Sequence, residues 1–429
     1  MANGNPFPKL KRLVREGKHF CIIPWMHLYV TGLGYMGSCC GEKKGPYTRG
    51  HGNLNTQSFA ELWQGESIRR FRLAMLRDAP SPQCEVCYEQ ERRGEESLRL
   101  LHNRRYGEKY LDWLLTTDRE GFALDAKPVY WDIRFSNRCN LRCRSCSYTS
   151  SSAWFADAKA LSPLTPKKKG SAVIKMANAR RLLDELEPYF PVLEKVMFAG
   201  GEPLLIEEND VILKKLNEMK KYDTEVHYIT NLTVVRRAAL NLERLWKNFR
   251  SLYLTVSLDG SGRRGEYLRK GLDWEKALTN LAYLQRQFPG AKLRVNYTVS
   301  AFNVLHAPDF HREMTEGERF PADALTLSFL HDPVYYSMKI LPGAMKKRAV
   351  EKIDRHIEWL RGLPAFAENG ASETAAACIT QWEHCRTYLY DGDLSHLIPK
   401  FAAATARLDD LRRESCVQVF PELAELFLM

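Results

Sequence analysis

The chain has 429 residues and a mass of 49.5 kDa, which at about 100–200 residues per domain indicates two or three packed units. Hydrophobic residues make up 45% of the sequence, which excludes a disordered chain, a collagen-like chain and a small disulfide scaffold. The net charge of +11 favours an acidic partner such as nucleic acid or an acidic peptide only weakly, because solubility alone would account for it.

The N-terminal stretch is basic and has no apolar core, so it does not resemble an export signal. No segment approaches the roughly 18 consecutive apolar residues that a membrane-spanning helix needs. We therefore expect a cytoplasmic protein that does not contact a membrane. In a reducing compartment, the odd number of eleven cysteines favours metal binding or catalysis over disulfide bonds.

Residues 1–120 form the first predicted unit, a small domain with little regular structure. Two short apolar runs, Phe20–Pro24 and His27–Val30, are strand candidates. Ser58–Leu76 has helical spacing of its apolar residues, and Ser58 with Glu61 makes a capping box at its start. A second helix is expected over Glu89–Leu115.

From residue 126 the pattern changes to regular strand–helix alternation, which predicts parallel βα units. The strand candidates are Val129–Phe135, Lys195–Ala199, Glu225–Thr230, Leu252–Leu258, Lys292–Ser300 and Leu325–Leu330. The helix candidates between them are Ala179–Tyr189, Asp210–Lys221, Arg236–Phe249 and Trp274–Phe288. Five or six such units indicate an incomplete barrel over residues 126–335, and a doubly wound open sheet is the alternative. In either fold, ligands bind at the carboxyl ends of the strands.

Residues 336–429 are predicted to form a helical C-terminal extension. Its helix candidates are Ala344–Arg361, Ala371–Leu389 and Pro399–Glu414. Two basic clusters, Lys167–Lys169 and Lys346–Arg348, are more typical of solvated faces than of binding sites.

Cys139, Cys143 and Cys146 lie in one short stretch directly after the first barrel strand. This spacing places three thiolates on a tight loop. A cubane iron–sulfur cluster normally takes four cysteine ligands, so three leave one iron open to an external ligand. Zinc held by these three residues and a remote ligand, or three inert cysteines, remain alternatives at this stage.

Two further strand ends carry motifs that belong with this loop. Ala199–Pro203 reads Ala-Gly-Gly-Glu-Pro after the second strand, and Ser257–Gly260 reads Ser-Leu-Asp-Gly after the fourth. A CxxxCxxC loop followed by these two motifs at this spacing resembles the radical S-adenosylmethionine (SAM) enzymes. The resemblance implies a [4Fe–4S] cluster on the three cysteines, with SAM bound to its open iron.

The resemblance also implies SAM-binding residues at the strand ends. Two adjacent glycines let the backbone approach a ligand without a Cβ atom in the way, so backbone groups there would hold the amino group of SAM. Glu202 would complement that ammonium, Asp259 would contact the ribose, and Arg269 would hold the carboxylate. The family often has an aromatic residue where this chain has Ser145, and Tyr148 is expected to cover the adenine instead. The predicted SAM-binding residues are Gly200, Gly201, Glu202, Pro203, Asn231, Ser257, Asp259, Arg269, Tyr148 and Asn296.

The early cysteines resemble the SPASM/twitch auxiliary domains of radical SAM enzymes, although such a domain usually follows the barrel. The resemblance implies an auxiliary [4Fe–4S] cluster with Cys21, Cys39, Cys84 and Cys87 as ligands and Cys40 as the alternative to Cys39. A zinc-ribbon site is the competing interpretation of such cysteine pairs. Three late cysteines have no metal-like spacing and are expected to be plain thiols: Cys378, Cys385 and Cys416.

The expected function is therefore that of a radical SAM enzyme. With an electron from an external donor, it would cleave SAM to a 5′-deoxyadenosyl radical that abstracts hydrogen from an unactivated C–H bond. A peptide or protein is the first choice of substrate, and modification of a nucleotide, tRNA or small metabolite is the alternative. A non-catalytic iron–sulfur or zinc-binding interaction protein is a further alternative of another class, but it would need no SAM pocket.

Overall fold

The computed structural model describes residues 6–42, 50–161, 172–236, 241–367 and 372–428. Within these residues, nine strands form one sheet and two short strands form a separate pair. The strands are β1 His27–Val30, β2 Tyr35–Gly37, β3 Gly52–Asn53, β4 Tyr130–Ile133, β5 Arg142–Cys143, β6 Lys195–Phe198, β7 Glu225–Thr230, β8 Ser251–Ser257, β9 Arg269–Lys270, β10 Lys292–Val299 and β11 Leu325–Phe329. The basic cluster at 167–169 lies outside the described residues.

Six parallel strands make up the barrel part of the sheet, in the order β4-β6-β7-β8-β10-β11. Each strand therefore lies beside the next strand of its kind along the chain, with no reversal of order. A doubly wound sheet requires such a reversal, so the incomplete-barrel prediction is confirmed and the alternative is wrong.

The helices between and after these strands match the predicted alternation. Those of the barrel are α8 Phe155–Leu161, α9 Ala179–Leu186, α10 Glu207–Glu218, α11 Leu242–Trp246, α12 Gly262–Leu268, α13 Trp274–Gln287 and α14 Ala307–Glu316. Those of the C-terminal extension are α15 Gly343–Arg361, α16 Glu373–Tyr388, α17 Ile398–Arg412 and α18 Cys416–Val419. Residues 237–240 of the predicted helix over 236–249, and residue 371 of the one over 371–389, lie outside the described residues.

The N-terminal region departs most from the expected elements. Its helices are α1 Phe7–Glu16, α2 Ile23–Met26, α3 Phe59–Trp63, α4 Glu66–Leu76, α5 Glu85–Arg92, α6 Leu98–His102 and α7 Leu111–Leu115. The predicted strand at 20–24 is wrong, because Pro24 lies in the first turn of α2. The predicted capping box of Ser58 with Glu61 is confirmed, but Gly65 separates α3 from α4. The single helix expected over 89–115 is also wrong, since Gly94 has a positive φ and Ser97 caps a new helix.

Strand β1 joins the N-terminal region directly to the barrel. It pairs in parallel with β4, with His27 opposite Tyr130 and Tyr29 opposite Asp132. Strands β2 and β3 continue the sheet beyond β1 in antiparallel fashion. The main sheet thus runs across the boundary expected near residue 120, and the boundaries themselves stay predictions.

The two faces of the barrel sheet differ in solvent exposure. Side chains on the outer face are buried against helices, as where Tyr228 contacts Phe198 and Trp246. Burying each such large apolar side chain contributes about 1.5–3 kcal/mol. The inner face alternates with it and is half-buried and polar, with His227 and Thr255 hydrogen-bonded at 2.8 Å. The inner face of the barrel is therefore polar along the middle of these strands.

The C-terminal helices cover the free edge of the barrel. The backbone N–H of Leu327 on β11 donates to the side chain of Gln381 on α16, at 2.8 Å. Behind this edge, His311 on α14 and His356 on α15 form a buried pair with their ring nitrogens 2.9 Å apart. Among the described residues, no helix combines the length and the apolar character needed to cross a bilayer.

The buried histidine pair predicts a loss of stability in acid. Burial lowers the pKa of His311 to about 4 and that of His356 to about 2, from 6.5 when unfolded. Below pH 6.5 the unfolded chain therefore binds more protons, and the free energy of unfolding should fall by about 1.4 kcal/mol per histidine per pH unit. Urea unfolding at pH 7, 6 and 5 measures this loss. His356→Gln should show a shallower dependence on pH than the parent, and an equal slope would contradict the assignment.

Candidate functional site

The loop between Cys139 and Cys146 is fixed by hydrogen bonds to its own backbone. The hydroxyl of Ser152 accepts from the backbone N–H of Cys139 and lies 3.1 Å from its carbonyl. The indole N–H of Trp154 donates to the carbonyl of Cys143 at 2.7 Å. Strand β5, within the loop, pairs with β9 so that Cys143 lies opposite Arg269. The three thiols are thus carried on a rigid loop at the end of β4.

Polar N–H groups face the sulfur atoms of this loop. The amide nitrogen of Asn231 lies 3.8 Å from Sγ of Cys139, and a guanidinium nitrogen of Arg269 lies 3.9 Å from Sγ of Cys143. A hydrogen bond between Cys143 and Cys146 lowers the pKa of Cys146 and raises that of Cys143. Donors aimed at thiolate sulfur are among the features that tune iron–sulfur clusters, so these residues fit such a cluster.

The arrangement of the thiols does not bring them to a single point. Across the described ranges, no three His, Cys, Asp or Glu side chains are grouped as they would be around one metal ion. A cubane, by contrast, binds each of its thiolates through a different iron.

The loop after β6 places two glycines against the cysteine loop. Gly200 and Gly201 have φ values of +83° and +54°, which favour glycine. A Cβ atom on Gly201 would lie 2.3 Å from the carbonyl oxygen of Arg138. The same carbonyl accepts a hydrogen bond from the backbone N–H of Glu202 at 2.8 Å. The close approach of backbone to backbone therefore requires glycine at 201 and joins the Gly-Gly loop to the residue before Cys139.

Glu202 is fully buried, at 0% exposure, and its carboxylate links neighbouring strand ends. It accepts hydrogen bonds from the Thr230 hydroxyl at 2.8 Å, the Asn231 backbone N–H at 2.7 Å and the Leu204 backbone N–H at 3.2 Å. Burial raises its pKa to about 7 in spite of these donors. Backbone groups of Gly200 and Gly201 are therefore better placed to meet a ligand, and direct contact of Glu202 with an ammonium stays a prediction. Pro203 begins the short 3-10 turn that follows.

Asp259 and Arg269 form a buried ion pair at the end of β8. Nε of Arg269 lies 2.9 Å from one carboxylate oxygen of Asp259, and the other oxygen also accepts from the backbone N–H of Thr298. Ser257 is buried and lies opposite Asn296 in the register of β8 and β10, and Asn296 accepts from Ser328 at 2.7 Å. The structure thus brings these four predicted residues to one end of the barrel.

The remaining predicted contacts differ in accessibility. Asn231 is buried, and its amide donates to the side chain of Asn140 at 2.9 Å. Tyr148 is 40% exposed, and its backbone carbonyl accepts from the side-chain amide of Asn137 at 2.7 Å. Ser145 instead lines a narrow cleft whose other walls include Phe302 and Tyr336, so aromatic rings do lie near the position where the family often has one.

The early cysteines are gathered by the N-terminal domain. Cys21 interacts electrostatically with Cys84 and Cys87, and Cys39 interacts electrostatically with Cys21, Cys87 and Cys84. Burial raises the pKa of all four thiols, that of Cys84 to about 12. Metal binding must displace the protons of these thiols, and the four thiolates that result fit an iron–sulfur cluster with four cysteine ligands.

A buried ion pair holds the chain around this group. Arg99 on α6 is 3% exposed, pairs with Glu91 and donates to the carbonyls of Gly17 and Phe20 at 2.9 and 2.8 Å. Its charge also acts on Cys21, Cys84 and Cys87. The sequence pattern did not single out Arg99, because nothing local distinguishes it from a surface arginine.

Cys40 has a different environment from Cys39. Its strongest electrostatic neighbours are Asp132 and Arg134 at the end of β4, and burial raises its pKa to about 11. Cys39 interacts instead with Cys21, Cys87 and Cys84 as well as with Cys40. Cys40 is influenced by Cys87 alone of the early group, so these electrostatic neighbours favour Cys39 as its fourth member.

The late cysteines lie apart from both groups. Cys378 and Cys385 are buried on α16, and Cys416 is buried at the start of α18. Cys378 donates to the carbonyl of Ala322 at 3.5 Å, as an ordinary core thiol does. The expectation of plain thiols agrees with this placement.

Two family models match the chain over its two cysteine regions. Residues 133–300 match the model of the radical SAM superfamily, and residues 21–88 match SPASM, an iron–sulfur cluster-binding domain. The order of the two domains is the one expected from the cysteines. These domains imply a SAM-binding [4Fe–4S] cluster and an auxiliary cluster.

Solved structures resemble the chain at low identity. A structure titled "Native anSMEcpe with bound AdoMet" is 18% identical over 55% of this chain and 60% of that chain, with a TM-score of 0.37. SuiB of Streptococcus suis bound to the precursor peptide SuiA is 14% identical over 65% of this chain and 60% of that chain, with a TM-score of 0.36. The chain thus spans about six tenths of the length of these structures.

The fold and the two family models lead to the same assignment. The sheet topology is an incomplete parallel barrel, and the cysteine loop lies inside the matched range at the end of the first barrel strand. The chain carries a radical SAM domain over residues 133–300 and a SPASM iron–sulfur domain on its N-terminal side, over residues 21–88.

Proposed function

We propose that the protein is a radical SAM enzyme that modifies a C–H bond of a peptide or protein. The observation that carries the proposal is the rigid loop of Cys139, Cys143 and Cys146, which meets the Gly200–Gly201 turn at the end of the first two barrel strands. Three thiolates would hold a [4Fe–4S] cluster and leave one iron for SAM. When bound, the cluster and SAM supply an electron and a 5′-deoxyadenosyl radical that takes hydrogen from an unactivated carbon.

The residues of this chain bind and orient these groups. Backbone groups at Gly200 and Gly201 would hold the amino group of SAM, since no Cβ atom blocks their approach. The Arg269 guanidinium lies between Cys143 and Asp259, so it would meet the SAM carboxylate while its charge stays neutralised. Asp259, Ser257 and Asn296 would contact the ribose side.

The early cysteines would hold the auxiliary cluster through four side chains. Full ligation by Cys21, Cys39, Cys84 and Cys87 leaves no open iron, which favours electron transfer over substrate binding. An electron donor outside this chain would reduce the SAM-binding cluster.

The polar inner face of the barrel supports an extended peptide as the substrate. It continues from His227 and Thr255 to Tyr29 on β1, where the Arg134 guanidinium lies 5.2 Å from the tyrosine ring. Two cations along it are neutralised, Lys195 by Glu225 and Arg134 by Asp132, and a third, Arg294, donates to the backbone carbonyl of Asp323 at 2.9 Å. A polyanion would need unpaired cations, so the neutralised part of this surface favours a peptide over nucleic acid.

The substrate class can be tested by transfer of deuterium. The anaerobically reconstituted protein is incubated with SAM, dithionite and either a uniformly deuterated tryptic peptide pool or uniformly deuterated total tRNA. We expect 5′-deoxyadenosine one mass unit heavier with the peptide pool and not with tRNA. Deuterium from tRNA alone would overturn the peptide substrate, and the absence of any 5′-deoxyadenosine would overturn the proposed function.

Gly201→Ala should separate SAM binding from cluster binding. The added Cβ atom would collide with the Arg138 carbonyl and move the turn, so SAM cleavage should fall at least tenfold while the iron content stays near that of the parent. Gly290→Ala, where a Cβ atom meets nothing within 4 Å, is the matched control and should retain activity. Equal loss in both variants, measured by 5′-deoxyadenosine formation, would contradict the role of the turn.

Cys39→Ala and Cys40→Ala should differ in iron content. The parent should contain about eight irons per chain, as two cubanes require. Cys39→Ala should retain about four because its thiol lies with Cys21, Cys84 and Cys87, whereas Cys40→Ala should retain about eight. Iron and sulfide analysis after anaerobic purification measures this difference, and the opposite pattern would assign Cys40 as the ligand.

A further inference from the structure

Two arginines lie inside the cysteine loop that carries the proposed cluster. Arg142 and Arg144 alternate with the cysteines, and the side chain of Arg144 is only 1% exposed. Arg144 also donates its backbone N–H to the carbonyl of Leu268 at 2.8 Å. A buried cation is costly unless an opposite charge neutralises it, so the partners of these arginines matter to the loop.

The partners of Arg144 come from the C-terminal extension. Its Nη2 atom contacts the carboxylate of Asp409 at the end of α17 and that of Glu414, the latter at 2.9 Å. The guanidinium also lies 3.7 Å from the centre of the Tyr267 ring, whose hydroxyl donates to Asp409 at 2.8 Å. Two carboxylates from the last part of the chain thus face one cation of the cysteine loop.

A second set of contacts reaches the same loop from α17. Asp157 accepts from Arg142 at 2.7 Å and from Arg412 at 2.9 Å. Arg412 has no exposed side-chain surface, and it donates to the carbonyl of Arg142 at 2.8 Å. Its guanidinium lies 4.7 Å from the ring of Trp154, the residue that donates to Cys143.

Glu414 also connects the loop to the strand paired with it. One of its carboxylate oxygens lies 2.9 Å from Nζ of Lys270 on β9, the strand that pairs with β5 of the cysteine loop. The C-terminal segment therefore contacts both strands of the β5–β9 pair that contains Cys143.

We propose that Asp409, Arg412 and Glu414 form a C-terminal clamp that positions the cysteine loop and sets the electrostatic environment of its cluster. This inference rests on the proposed function, because it takes Cys139, Cys143 and Cys146 as the cluster ligands. The three clamp residues are positioning residues, since they act through Arg142 and Arg144. The charge near a cluster is one determinant of its reduction potential.

The clamp can be tested through the charge on its members. Glu414→Gln removes a negative charge that faces Arg144, so the cluster should become easier to reduce and its midpoint potential should become more positive. Arg144→Gln removes the positive charge, and the potential should become more negative. The double variant should return close to the parent, because the two changes cancel. Asp410→Asn, at an exposed neighbour of Asp409, is the matched control and should leave the potential unchanged.

The measurement is a redox titration of the reconstituted full-length protein, followed by electron paramagnetic resonance of the cluster whose signal changes when SAM is added. Removal of iron by a chelator, followed over time, measures how firmly the loop holds the cluster, and Glu414→Gln should lose it several-fold faster than Asp410→Asn. If Arg144→Gln does not fold, the midpoint potential and the rate of iron loss of Glu414→Gln, compared with those of Asp410→Asn, still test the clamp.

Two results would overturn the clamp, and they differ in what else they overturn. Potentials and iron loss in Glu414→Gln that equal those of Asp410→Asn, in a protein whose signal responds to SAM, would overturn the clamp alone. A parent protein without any SAM-dependent cluster signal would overturn the proposed function and the clamp with it.

Discussion

The stretch from Cys139 to Cys146 must hold three thiols and two guanidinium groups close together. The surrounding structure makes this possible by fixing the backbone of the stretch and by neutralising its arginines. Ser152 and Trp154 form hydrogen bonds with its backbone. Within the stretch, β5 pairs with β9, and the C-terminal segment contacts both of these strands. Buried charges are tolerated only with well-placed partners, and the carboxylates that face Arg144 come from residues more than two hundred positions away. The local motif therefore depends on the complete fold of the chain.

The same dependence appears between the two cysteine regions. Because β1 pairs with β4, the segment of β1 and β2 that Cys21 and Cys39 flank lies beside the strand that leads into the cysteine loop. Arg134 lies between them, paired with Asp132 and packed against Gly200 and the ring of Tyr29. A substrate on the inner face of the sheet would thus be within reach of both regions.

The barrel was predictable from sequence because strand and helix periodicities are local, and β7 has the bounds expected for it. The ends of the N-terminal helices were not predictable in the same way. Gly65 and Gly94 interrupt two segments whose apolar spacing, taken alone, predicts one continuous helix each. The CxxxCxxC spacing and the Ala-Gly-Gly-Glu-Pro stretch identified the cysteine loop and the Gly-Gly turn from the sequence. Long-range pairing of β1 with β4, and of Arg144 with Asp409, leaves no periodic or spacing signal, so neither could be predicted.

The β1–β4 pairing also bears on how the protein is made. Ribosomal synthesis delivers His27–Val30 long before Tyr130–Ile133, so the first strand must wait for about a hundred residues before its parallel neighbour exists. Until then its hydrogen-bonding edge and the nearby thiols lack their final cover.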